Sequence, residues 1–191
     1  IGRYARCLLD ALRATADGHE IVEAHRPRGV DVFHTPWIDG VRIRCSVPQV
    51  VTLHDLVPLK RSGEYLRTGV RFRLRYAAVA RADRVIVPTA TVAQDAWELI
   101  GVEEDRLTII AEAPAPAFHP RPPEEVEAMR LRHGIPRDYL LWVGGLQTPD
   151  PRKRVAALAS TRRDLPLVLA GRAARWAHEL PGVIVTGQLG D

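Results

Sequence analysis

Gln49-Val50-Val51-Thr52-Leu53-His54-Asp55-Leu56 is the stretch that decides how this chain is built. From Val50 to Leu53 it carries no charge, as suits a strand covered on both faces of a parallel sheet. His54 and Asp55 then end the apolar run. In open parallel sheets ligands bind just beyond the carboxyl ends of the strands, so the same eight residues point to a fold class and to a place for chemistry.

Working outward, the pattern before and after this strand alternates. Tyr4, Cys7, Leu8, Ala11 and Leu12 recur at helical spacing before Gly18, which predicts an amphipathic opening helix. Short extended segments are expected at 21–24 and 30–34. Leu66, Val70, Leu74, Ala77 and Ala78 predict a helix over 65–82, flanked by Arg67, Arg71 and Arg75. A strand is expected at 84–87. Thr91 and Gln94 then form a capping-box signature for a helix that stops at Gly101, followed by a strand at 107–110.

Five prolines between Pro114 and Pro123 suit neither a helix interior nor a central strand. The segment 111–123 is therefore expected to link two domains, 1–110 and 124–191. Beyond it the pattern resumes as helix 124–133, strand 139–143, helix 153–161, strand 167–170, a short helix and strand 183–186. Strands alternating with helices imply βαβ units and a parallel sheet on each side of the linker, an α/β class.

Composition agrees, with 46% hydrophobic and 26% charged residues in 191. That supports a packed core and excludes disordered and collagen-like chains. Cys7 and Cys45 have no metal-type spacing; Cys7 is expected as a small buried thiol on the helix stripe, and a reducing, cytoplasmic compartment follows. No apolar run reaches the length of a membrane span. The chain opens on Ile1 and its one methionine is Met129, so it is expected to be a piece of a longer protein, with the second domain incomplete.

Net charge is +4, and Lys60 and Lys153 are the only lysines. Such a balance is compatible with phosphorylated substrates, anionic lipid or nucleic acid and does not choose among them. Arg42, Arg44, Lys60, Arg61 and the arginines from Arg67 to Arg84 form either a basic face or a solvated flank. A Walker loop, a Gly-x-Ser-x-Gly elbow, a zinc-type His/Cys cluster and an RNA-binding aromatic motif are all missing from the sequence, which removes the anchors for hydrolase and metalloenzyme functions.

Three strand ends carry candidate groups. His54 is positioned to hydrogen-bond a sugar hydroxyl or to steady charge at a reacting carbon; the alternative is a structural histidine bonding a nearby loop. His34, beside Pro36 and Trp37, has the same two alternatives. Gly144-Gly145 allows close approach of a phosphate, and Arg152 and Lys153 follow where a helix is expected to begin. Basic side chains there oppose the helix dipole, which favours an anion ligand over a purely stabilising role.

The order of segments resembles family 4 of the retaining glycosyltransferases, built on two facing Rossmann-like domains called the GT-B fold. The resemblance runs through Ile1-Gly2-Arg3-Tyr4, Asp31-Val32-Phe33-His34, Val50 to Leu56, Ala82 to Thr89 and Leu107 to Ile110. It continues through Ala117-Phe118-His119-Pro120, Leu140 to Gly145, Pro151-Arg152-Lys153 and Pro166 to Gly171. It implies that His54 is the functional histidine and Lys153 the diphosphate-binding lysine, with Gly2 the remnant of a glycine-rich loop near the donor phosphate.

Gly145 stands where many members have arginine, so Arg152 is expected to substitute, and His34 and Asp55 fall on the acceptor side. The family's Glu-x7-Glu motif would lie beyond Asp191. The activity implied is glycosyl transfer from a nucleotide sugar to a saccharide or lipid-linked acceptor, with retained configuration and without a metal or other cofactor. A cytoplasmic location, peripheral at an anionic membrane surface, is expected, and nucleic acid is not. A nucleotide-sugar epimerase of the same architecture and a non-catalytic basic module are the competing expectations.

Overall fold

The structure is a computed structural model that describes residues 2–60 and 69–189. The chain divides into two compact units, Ile1–Ala115 and Pro116–Asp191, so the break falls inside the Pro-rich segment.

The first unit opens with helix α1 (Gly2–Ala14), followed by strand β1 (Phe33–Thr35), a 3-10 turn at Ile38–Gly40 and strand β2 (Gln49–Thr52). Helices α2 (Val57–Lys60) and α3 (Gly69–Val79), strand β3 (Arg84–Val87), helix α4 (Ala90–Ile100) and strand β4 (Leu107–Ile109) complete it. The four strands lie in sequence order and all pair in parallel, with Val51 beside Val85 and Val85 beside Leu107. Val51, Leu53, Leu56, Val79, Val85, Val87 and Val102 form the sealed centre. Burying each such side chain contributes about 1.5–3 kcal/mol.

The second unit contains helix α5 (Pro123–His133), strand β5 (Leu140–Val143), a 3-10 turn at Pro151–Lys153 and helix α6 (Val155–Ser160). Strand β6 (Leu167–Ala170), helix α7 (Arg175–His178) and strand β7 (Val183–Gly187) follow. β6 is central, parallel to β5 and β7. Its Leu167 and Leu169 pack with Leu146, Val155, Ala159 and Ala177.

Several expectations need correction. Residues 21–24 form no strand and pair with no strand among the described residues; Ile21 instead accepts a hydrogen bond from Arg13 Nε (3.3 Å). β1 starts later than expected, at Phe33, and runs on to Thr35, so His34 lies inside the strand and not at its end. Helix α4 is capped by Thr89, whose side chain accepts from the Val92 amide (3.2 Å), while Gln94 bonds Glu98 within the helix. Its stop at Gly101, at φ 70°, is the expected left-handed cap.

Cys7 is exposed, since α1 has no buried residue. Of the helix expected over 65–82, α3 is the part seen, and residues 65–68 lie outside the described residues. The helix expected from Lys153 is split: Arg154 adopts φ 48°, so Arg152 and Lys153 belong to the preceding 3-10 turn and α6 starts at Val155.

Candidate functional site

At the carboxyl edge of the first sheet, chain exits from β1, β2 and β4 meet one turn of α1 around His54. Leu53 is anchored through its amide to the Ile86 carbonyl (2.8 Å) and is buried, which fixes where the next residue leaves the sheet. The His54 ring is held on every side. Nε2 lies 3.0 Å from the Pro36 carbonyl and Nδ1 lies 2.7 Å from Glu112 Oε1. Tyr4 meets the ring edge-on at 4.7 Å between centroids, and Trp37 lies tilted at 5.8 Å.

The hydrogen bonds have a chemical consequence. A carbonyl only accepts, so Nε2 carries a hydrogen, and the Nδ1–Glu112 contact needs a further hydrogen between ring and carboxyl. Neither ring nitrogen offers a free lone pair. The His54 side chain is 16% exposed and that of Glu112 is 52% exposed, so an incoming hydroxyl can displace the carboxylate but not the backbone carbonyl.

His34 is brought to a different place. Inside β1, its Nε2 bonds Thr52 Oγ1 at 2.9 Å, and burial pushes its imidazole below the ordinary value of 6.5. Asp55 is exposed and accepts from the Val57 amide (3.0 Å), which sets the turn into α2. Gly2 starts α1 two residues before Tyr4, and the space a side chain would take there is open.

In the second unit the loop after β5 carries the remaining candidates. The Gly144 amide bonds the Ala170 carbonyl (3.0 Å), and a Cβ on Gly144 would come within 2.7 Å of the Trp142 ring. Its carbonyl occupies the space a Cβ on Gly171 would need, so both glycines serve the close approach of two strand ends. Gly145 faces open space, and its missing side chain serves no packing need.

Arg152 is forked onto Asp150, with Nε–Oδ1 at 2.9 Å and Nη2–Oδ2 at 2.7 Å, and this bonding holds the Asp150 carboxyl below the usual carboxylate value of 3.8. Lys153 is exposed, its Nζ 5.9 Å from the Trp142 ring centroid, and among the described residues it has no carboxylate partner. On α3, Arg75 pairs with Asp39 at 2.5 Å, Arg73 is exposed, and Arg67 lies outside the described residues. Among the described residues no group of His, Cys, Asp or Glu is arranged to hold a metal, and no helix is long and apolar enough to cross a membrane.

Sequence reasoning missed Glu112, Tyr4 and Trp37. Glu112 follows β4 by three residues, so the strand-end rule that selected His54 also covered it. Its position at the head of the Pro-rich segment hid it.

Residues 2–112 match Glycosyltransferase Family 4, and the chain belongs to that family. It is 31% identical over 154 residues to a D-inositol 3-phosphate glycosyltransferase of Thermomonospora curvata, covering 71% of this chain and 36% of that protein. To the protein of the same description from Acidothermus cellulolyticus it is 34% identical, covering 71% and 33%. The chain thus spans about a third of the length of these curated relatives. The crystal structure of Anabaena Alr3699/HepE in complex with UDP-glucose shares its fold, with a TM-score of 0.61 at 16% identity over 96% of this chain and 65% of that one. The architecture is therefore α/β with two Rossmann-like parallel sheets of the GT-B type, the second the smaller.

Proposed function

We propose that this chain belongs to an enzyme that moves a glycosyl group from a nucleotide sugar to an acceptor hydroxyl with retained configuration. Residues 1–110 take the acceptor side, 124–191 the donor side, and 111–123 the link between them. The observation that carries this is the enclosure of His54 by Tyr4, Pro36, Trp37 and Glu112 at the carboxyl edge of the sheet, within the family-matched residues.

The bond from the sugar to the diphosphate breaks, and a bond from the same carbon to the acceptor oxygen forms. Because both His54 nitrogens are engaged, the ring is a poor base for the acceptor proton, which passes instead to the departing diphosphate oxygen. His54 orients a sugar hydroxyl as that hydroxyl replaces Glu112 at Nδ1. Lys153, exposed beside Trp142, neutralises the leaving diphosphate, with Arg152 and the backbone at Gly2, Gly144 and Gly145 assisting. Arg152 is the weaker of the two cations because Asp150 already takes its fork. His34 and Asp55 support the acceptor side through Thr52 and the turn into α2.

UDP-glucose bound to the Anabaena protein and the inositol phosphate named for the curated relatives support a nucleotide-sugar donor and a polyol, saccharide or lipid-linked acceptor. No metal or other cofactor is needed by this chemistry. A cytoplasmic setting with weak attraction of α3 to an anionic membrane completes the proposal, at about 1 kcal/mol per basic residue near the surface.

Release of nucleoside diphosphate by the intact enzyme from UDP-, GDP- and ADP-linked sugars, with polyol and saccharide acceptors, tests it; residues 1–191 alone are expected to be inactive. In the intact enzyme His54→Ala is expected to lower turnover about 100-fold, a larger effect than the stability lost with its bonds to Pro36 and Glu112. Glu112→Gln is expected to lower it about tenfold, with the donor KM unchanged. Equal loss of turnover and stability in His54→Ala would make the residue structural. Interconversion of the nucleotide sugar without acceptor would point to an epimerase.

A further inference from the structure

The amino-terminal edge of the first sheet, a strand length away from His54, carries a different arrangement. Two loops meet there, one leading to β1 and one to β2, around an open concavity of about 350 Å³ lined by Arg26, Arg28, Arg42 and Arg44. The loops are tied together. The Arg42 amide donates to Gln49 Oε1 (2.9 Å), Gln49 Nε2 donates back to the Arg42 carbonyl (3.1 Å), and Arg42 Nη2 donates to the His25 carbonyl. Ser46 Oγ donates to the Pro27 carbonyl (3.2 Å), and the Arg42 guanidinium lies 5.9 Å from the Phe33 ring centroid.

The charge in this concavity is not balanced. Among the described residues none of the four arginines has a carboxylate partner and no acidic residue lines the space, whereas Lys60, Arg75 and Arg106 of the same unit are each paired. Arg42 Nε is buried and has no acceptor. Guanidinium groups stay charged at every physiological pH, so their mutual repulsion is not relieved by losing a proton. A group with several anionic oxygens relieves the repulsion and takes the unused donors in forked geometry.

We propose that this concavity binds a phosphate monoester dianion, carried either on a small soluble molecule or on a lipid headgroup. Its place at the amino-terminal edge makes it a separate site from the one around His54, and it does not depend on the transferase proposal.

Calorimetric titration of the whole chain with inorganic phosphate at low ionic strength is expected to show saturable binding. The triple variant Arg26→Ser/Arg28→Ser/Arg44→Ser should weaken it about tenfold or more. These side chains make no hydrogen bond among the described residues, and Arg28→Ser and Arg44→Ser alone serve if the triple variant unfolds. Arg132→Ser/Arg137→Ser/Arg162→Ser removes the same charge from exposed positions of the second unit and should bind normally.

Flotation with phosphatidylcholine vesicles carrying phosphatidic acid separates the two sources. Flotation lost only in the pocket variant assigns a lipid headgroup; phosphate binding lost only in that variant, with flotation absent or unaltered, assigns a soluble ester. Binding in neither assay, or equal weakening by both triple variants, overturns the proposal.

Discussion

β2 of the first unit and β5 of the second are both short, uncharged strands in parallel sheets, and each leads directly into a loop with candidate functional residues. Their surroundings differ. In β2 and the residue after it, Val51 and Leu53 are sealed, Leu53 at 1% exposure, between β1 and β3. In β5, Leu141 is 56% exposed and Val143 71%, on a strand with one neighbour. Apolar sequence states what a strand is able to bury, and the elements packed on it decide what it does bury.

The largest effect expected from this difference is on stability. Leu53→Ala should destabilise the first unit by about 2–5 kcal/mol, the range for emptying a sealed core position. Leu141→Ala should fall within about 0.5 kcal/mol of the parent, as exposed substitutions do. Urea unfolding of both variants provides the measurement, and comparable losses would mean that the face of β5 is covered in solution.

A smaller effect separates two glycines near β5. Gly171→Ala places a Cβ against the Gly144 carbonyl at φ 143°, and should cost about 1–3 kcal/mol in strain and displacement. Gly145→Ala meets open space and should leave the melting temperature unchanged while weakening donor binding. A stable Gly171→Ala protein would show that the two strand ends do not approach closely.

The smallest effect is acid sensitivity, which should begin in different windows in the two units. Burial lowers the His34 value in the fold, so the unfolded chain binds a proton first. Its contribution is complete above the ordinary 6.5 and is lost as pH falls toward the depressed folded value. Asp150, lowered first by its hydrogen bond to Arg152, contributes above 3.8 and loses that contribution only below it. Because Asp150 and Arg152 are partly exposed, solvent screening keeps their share small. Amide hydrogen exchange at Thr52 and at Arg152 across an acid series should show the first loosening at higher pH than the second. Simultaneous loosening would remove the distinction.

Much of the fold was legible because it rests on local rules. The strand at 84–87, the Gly101 stop of α4 and the apolar run that became β6 each follow from side chains within a few residues. The failures came where local signals competed. Thr89 and Thr91 both suit a cap, and the site of helix entry chose Thr89. Residues 21–24 have strand-like side chains but no pairing strand among the described residues. The helix expected from Lys153 was broken by the left-handed backbone of Arg154, which no pattern of side chains announces.

For the candidate site, sequence by itself determined that a histidine would stand at the mouth of a buried parallel strand, and that glycines and a lysine would follow the strand expected at 139–143. Those facts depend on alternation and on the absence of charge from the strands. Only the tertiary structure decided what His54 touches. Glu112 lies 58 residues away along the chain and Pro36 lies 18 away, and both reach the ring because parallel strands deliver all their carboxyl ends to one edge. That convergence depends on strand order and register, which distant backbone pairings set and no local pattern encodes.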